Sequence, residues 1–227
     1  MNLLKEFEEH VKEFVESEKE GMEEVHKLRI KSRELFSLLD KKHLFHSQLK
    51  KIIKLSNDIR DMDVFFYEYL DSLPPKYIKK LDLKSIEEPI RKKRAKRISS
   101  LHLYLRSLEI PQNIKFIQKE SKVPFVDSSS LMSPNDTLLH KYRIFIKHNL
   151  YREKNLFPVN KKAVKTLTKI KDILGEIHDN INALEMLEGL KIDDRLLKKI
   201  RRFTKNKNIK LFVKFKKLND KYIRNIS

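Results

Sequence analysis

Two segments of the chain place histidine and basic residues at the same helical spacing. Residues 26–33 read His-Lys-Leu-Arg-Ile-Lys-Ser-Arg, and residues 140–147, 114 positions later, read His-Lys-Tyr-Arg-Ile-Phe-Ile-Lys. On an α-helix, the spacing i, i+3, i+7 places three side chains in one narrow strip. We call these strips the first basic ridge (His26, Arg29, Arg33) and the second basic ridge (His140, Arg143, Lys147). Their cationic hydrogen-bond donors suit a phosphate-rich ligand.

Each ridge borders a stripe of apolar residues at helical spacing. These stripes are Val25, Leu28, Leu35, Phe36 and Leu39 in the first segment, and Leu139, Tyr142, Ile146 and Leu150 in the second. Apolar stripes of this kind pack inward in amphipathic helices. We therefore expect both ridges to lie at the edge of a core and to face one positively charged groove.

The composition is strongly basic. Lys and Arg number 51 against 32 acidic residues, which gives a formal net charge of +19 and favours polyanions or anionic membrane surfaces as partners. Charge-rich helices are also common in thermophiles, but that alternative does not account for a duplicated ridge. The chain has no cysteine, and no apolar run reaches the 18 or more residues of a membrane span. We expect a cytoplasmic protein without integral membrane association.

Helical periodicity dominates, and only three glycines are present, which predicts an all-α fold. Predicted helices cover about 2–18, 21–41, 44–72, 75–81, 85–108, 111–121, 135–155, 160–188, 192–204 and 207–225. A linker over 123–134 separates residues 1–122 from 135–227. Each half has about the size of a small helical bundle, and together they are expected to form one unit.

Further basic residues extend the candidate surface, and acidic residues are placed to orient it. The additional cations are Lys50, Lys51, Lys54, Arg60, Arg94 and Arg97; the alternative is that they form ordinary solvated helix faces. Because a buried lone charge is costly, we expect Arg60 and Asp63 to pair with each other or with a ridge, for instance Asp63 with Arg29. Asp61 and Asp179 are assigned the same orienting role. A direct ligand role for Arg60 is the lesser alternative.

Neither a catalytic group nor a metal site is predicted. Asp61 and Asp63 project about 200° apart on a helix, so they do not share one ion. His178-Asp179 resembles the paired ligands of metal-dependent phosphohydrolases, with His26 and His140 as conceivable further ligands. The arginines beside both ridge histidines would repel a divalent cation. We expect no metal and no cofactor.

Four motifs together resemble the CHAD domain (conserved histidine α-helical domain). They are His26-x-x-Arg29-Ile30-x-x-Arg33, Arg60-Asp61-x-Asp63-Val64, Leu139-His140-x-x-Arg143-Ile144-x-x-Lys147 and Leu174-Gly175-x-x-His178-Asp179. The resemblance spans essentially the whole chain, but Ser56-Asn57 stands in the place of Leu-Gly before Arg60-Asp61. It implies two four-helix bundles, related by a pseudo-twofold axis around a basic groove or pore that binds inorganic polyphosphate. It also implies association with polyphosphate granules and with polyphosphate-metabolising enzymes.

The expected function is therefore non-catalytic polyphosphate binding. A non-specific nucleic-acid-binding protein is the first alternative, since a basic groove attracts a nucleic-acid backbone equally. Single-strand binders, however, usually offer exposed aromatic platforms, and this chain has no Trp. A metal-dependent phosphohydrolase is the second alternative.

Overall fold

The computed structural model describes residues 3–17, 21–116, 130–131, 133–135, 137–155 and 160–224. Over these residues the chain is all-α, which confirms the predicted fold class. The helices are α1 (Leu3–Glu16), α2 (Met22–Leu38), α3 (Leu44–Val64) continued by a π-helix (Phe65–Leu70), α4 (Pro75–Ile78), α5 (Leu83–Arg106), α6 (Thr137–Asn155), α7 (Lys161–Glu188) and α8 (Asp194–Arg224). No described helix combines the length and apolarity needed to cross a bilayer.

The chain divides into two compact units. The first contains α1, α2, α3 and α5, and the second contains α6, α7, α8 and the segment 69–81 with α4. This segment packs with the second unit because the Tyr69 hydroxyl lies 2.8 Å from Thr204 Oγ1 and Tyr77 packs edge-to-face on Phe203. The predicted assignment of residues 1–122 to one bundle differs at this point. Most of the predicted linker, 123–129 and 132, lies outside the described residues.

The core of the first unit follows from the apolar spacing of its helices. α2 packs on α1 and on α3, and α5 packs on α3. Phe7 and Phe45 meet edge-to-face at 5.8 Å, and Leu28 and Leu35 are fully buried beneath the first ridge. Each such side chain contributes about 1.5–3 kcal/mol on burial, so the α2 backbone that carries the ridge is firmly held.

The π-helix after α3 changes which aromatic residue enters the core. At regular α-helical spacing Phe66 would share the face of Ile52 and Ile59, but Phe65 is fully buried and Phe66 is only half-buried. A π-turn contains more residues than an α-turn, so side chains in this segment depart from the α-helical period. Phe65, and not Phe66, is therefore the core residue here.

One helix, α8, replaces the two predicted over 192–204 and 207–225. The break predicted between residues 204 and 207 is wrong because the polar residues around it satisfy their hydrogen bonds inside the second unit. Thr204 reaches Tyr69, and Asn208 Oδ1 accepts a 2.8 Å bond from Asn180. Phe212 and Phe215 are buried, as the amphipathic pattern of the last predicted helix requires.

Two local predictions also need correction. The helix predicted over 111–121 is absent from 111–116, where Phe116 instead forms an isolated antiparallel bridge with Leu39; residues 117–121 lie outside the described chain. The helix predicted from residue 85 begins at Leu83 because Asp82, the N-cap residue, accepts a hydrogen bond from the Ser85 backbone N–H.

Candidate functional site

The first ridge lies along α2 at the edge of the first core. His26 is exposed, whereas Arg29 and Arg33 are half-buried. Arg33 Nη2 donates a 2.7 Å hydrogen bond to Asn57 Oδ1 of α3. Asn57 thus holds one edge of the Arg33 guanidinium in place. The sequence reveals no such role for Asn57, because the two residues are far apart in the chain.

The outer surface of α3 continues the positive charge from this contact. Lys50 and Lys54 precede Asn57 by seven and three residues, so they share its helical row, and both are exposed. Lys51 lies on the neighbouring row, where its Nζ stands 4.1 Å from the centroid of the Tyr104 ring. A cation over an aromatic face gains about 0.5–1 kcal/mol at an exposed site, which favours this position of the Lys51 ammonium group.

On the α5 side, arginines meet acidic partners. Arg94 Nε lies 2.6 Å from Asp63 Oδ1 and its Nη2 lies 3.3 Å from Oδ2, so the pair is bidentate. Arg97 Nε lies 3.0 Å from Asp58 Oδ2. The partner observed for Asp63 is therefore Arg94 and not Arg60 or Arg29, the pairs suggested from the sequence. These acids offset part of the positive charge that Arg94 and Arg97 bring to the surface.

A basic residue followed directly by an aspartate occurs in both units. Arg60 Nη1 lies 3.7 Å from Asp61 Oδ1 on α3, and His178 Nδ1 lies 3.6 Å from Asp179 Oδ1 on α7, 118 residues later. α3 packs on the helix of the first ridge, and α7 packs on the helix of the second. The same pair of elements thus occurs in both units.

The second ridge lies along α6. Its flanking residues Leu139, Tyr142, Ile146 and Leu150 are all buried, as predicted. His140 is exposed, and Arg143 and Lys147 are half-buried. A cleft of about 350 Å³ opens between α6 and α7, lined by His140, Arg143 and His178 together with Asn182 and Glu185.

The two histidines of this cleft stack on each other. Their ring centroids lie 5.4 Å apart and their planes differ by 28°. Lost hydration lowers the pKa of His140 below its usual 6.5, and the nearby positive charges of His178, Arg143 and Lys147 lower it further. An anion in the cleft would favour protonation of His140, because it offsets these positive charges.

Gly175 leaves space on the α7 surface beside this cleft. It precedes His178 by three residues, and a Cβ at this position would meet no atom within 4 Å. The position 118 residues earlier is Asn57, which holds Arg33 in the first unit. The two units differ at this position. Asn57 gives Arg33 an amide partner in the first unit, whereas Gly175 leaves open space on α7 in the second unit.

The described side chains do not form a metal site. Among the residues that the structure describes, no three His, Asp or Glu side chains are grouped to hold a metal ion. The expectation that both ridges line one groove stays a prediction.

No family model matches the sequence, and no curated protein or solved structure is similar enough to count as a match.

Proposed function

We propose that this protein binds inorganic polyphosphate without catalysing its conversion, through the first and second basic ridges. The observation that carries the proposal is the duplication of one arrangement. In each unit, a helix with a His-Arg-basic strip packs on a helix that carries a basic residue next to an aspartate. Single-copy surface charge would not require such a repeat.

The chemistry of the ridges fits a linear phosphate chain. A seven-residue strip on a helix extends about 10 Å, enough to face several linked phosphates. Arginine offers a planar fork of donors to phosphate oxygens, and lysine offers a point charge. Histidine donates to phosphate more strongly once it is protonated. The CHAD-like motifs point to the same ligand, and with it to polyphosphate granules and polyphosphate-metabolising enzymes as the setting.

A parallel titration tests this ligand against its main rival. Long-chain polyphosphate, single-stranded RNA and duplex DNA are titrated into the protein at one salt concentration. We expect polyphosphate to bind most tightly, because the ridges offer cationic donors without base-reading groups. Tighter binding of RNA or DNA would contradict the proposal and favour a nucleic-acid-binding protein.

The absence of catalysis has its own test. The protein is incubated with polyphosphate or nucleoside triphosphates and Mg²⁺ or Mn²⁺, and released phosphate is measured. We expect no release above background. Release that disappears in His178→Ala or Asp179→Ala would establish a phosphohydrolase instead.

A further inference from the structure

A second basic cleft lies in the second unit, away from the second ridge. Its volume is about 770 Å³, and it is lined by α4, the turn that follows α4 and the first part of α8. Small-molecule sites typically measure about 300–1,000 Å³, so one drug-sized ligand fits this space. The sequence gives no warning of it, because Lys76 and Arg202 are more than a hundred residues apart.

The lining of this cleft is strongly cationic. Five basic residues face one acid, Asp193, and the five are Lys76, Lys80, Arg195, Lys199 and Arg202. Asp193 is already engaged, since its Oδ1 accepts a 2.8 Å hydrogen bond from the Leu196 backbone N–H. The cleft therefore has a clear excess of positive charge.

None of the five basic residues forms an ion pair with any other residue that the structure describes. Two neighbouring basic residues on α8, by contrast, do form ion pairs. Arg201, next to Arg202, places Nη2 2.8 Å from Glu188 Oε1, and Lys207 places Nζ 3.2 Å from Glu176 Oε1. Like charges gathered in one cleft repel each other, so a polyanion bound there relieves that repulsion.

The same cleft also offers aromatic surface. Tyr77 and Phe203 line it and contact each other edge-to-face, with centroids 6.4 Å apart and planes at 78°. Both rings are half-buried, so each presents part of its surface to the cleft. Aromatic side chains bind nucleobases by stacking. An inorganic phosphate chain has no group that uses such a surface.

We propose that this cleft binds a nucleoside polyphosphate, with the phosphates on the basic residues and the base against Tyr77 and Phe203. This site goes beyond polyphosphate binding by the two ridges and does not depend on it. The start of α8 adds to the attraction, because a helix N-terminus carries partial positive charge. The ligand class follows from the combination of cations without acidic partners and aromatic rings in one cleft of suitable size.

Calorimetric titration of the full chain tests the site with ATP, AMP, adenosine and inorganic tripolyphosphate, without added metal. We expect ATP to bind more tightly than each of the other three. Lys199→Ala/Arg202→Ala should weaken ATP binding at least about tenfold, since each loses a charge-assisted contact. Lys210→Ala/Lys214→Ala removes the same charge from exposed positions of α8 outside the cleft and should leave ATP affinity within about twofold.

One more variant separates this site from simple phosphate binding. Tyr77→Leu should weaken the binding of ATP but not that of tripolyphosphate. The proposal is overturned if ATP does not bind, if both double variants behave alike, or if Tyr77→Leu binds ATP like the parent. Circular dichroism of each variant verifies that it is folded.

Discussion

The imidazole rings of His140 and His178 stack at 5.4 Å, although both side chains can carry positive charge. Stacking of two imidazolium ions is unfavourable, so the stacked arrangement is stable only while at least one of the two rings is neutral. The lowered pKa of His140 is consistent with that state. An anion between α6 and α7 would favour the protonated form of His140.

The first prediction is that polyphosphate binding strengthens as pH falls from 7.5 to 5.5. The pKa of His140 is lowered in the ligand-free protein, and bound phosphate raises it, so binding takes up protons and is favoured at lower pH. Affinity measured across this range at constant salt should rise. His140→Gln should reduce the rise, whereas His10→Gln on α1 should not. An equal response in His140→Gln and the parent would mean that His140 only orients its neighbours.

The second prediction concerns the Asp63–Arg94 pair. Asp63→Asn should lower the free energy of unfolding by about 1–3 kcal/mol, because it leaves the Arg94 guanidinium partly buried beside a neutral amide. Asp58→Asn removes an equal charge from a more exposed pair with Arg97 and should cost no more than about 1 kcal/mol. Urea unfolding of the two variants compares them directly. A similar loss in the free energy of unfolding for both variants would contradict the prediction that burial makes the Asp63–Arg94 pair more important for stability.

The third prediction concerns Gly175. A glycine inside a helix makes the protein less stable than an alanine would, by about 0.5–1 kcal/mol. A Cβ at Gly175 would meet no neighbouring atom within 4 Å. Gly175→Ala should therefore raise the free energy of unfolding by about that amount. A loss of stability in thermal or urea unfolding would show that the space beside α7 is needed by the folded chain itself.

The sequence predicts the local features of this fold well, because helix type and apolar spacing are encoded in neighbouring residues. The stripe from Leu139 to Leu150 is buried as expected. The errors arise where distant residues decide the outcome. Asn180 donates a hydrogen bond to Asn208 inside the unbroken helix α8. Asp63, for which the sequence suggests Arg29 as the partner, instead pairs with Arg94 on α5.

The same limit applies to the sites. Both ridges can be found from spacing, since each lies on one helix. The stack of His140 on His178, the contact of Arg33 with Asn57 and the cleft around Tyr77 each join residues separated by long stretches of chain. Side-chain spacing within one helix carries no information about such pairs. They are set by how the helices pack.

The most direct test of the central claim is the affinity for long-chain polyphosphate as a function of salt, in the parent and in ridge variants. If the ridges bind by charge, the logarithm of the association constant should fall linearly with the logarithm of salt concentration as counterions are released. Arg29→Ala and Arg143→Ala should each cost on the order of 1–3 kcal/mol, and Arg→Lys should recover only part of that. Lys96→Ala on α5 and Lys165→Ala on α7 are exposed control variants with the same change in charge. Binding that is insensitive to salt, or equal affinity in the arginine variants and these controls, would contradict the account.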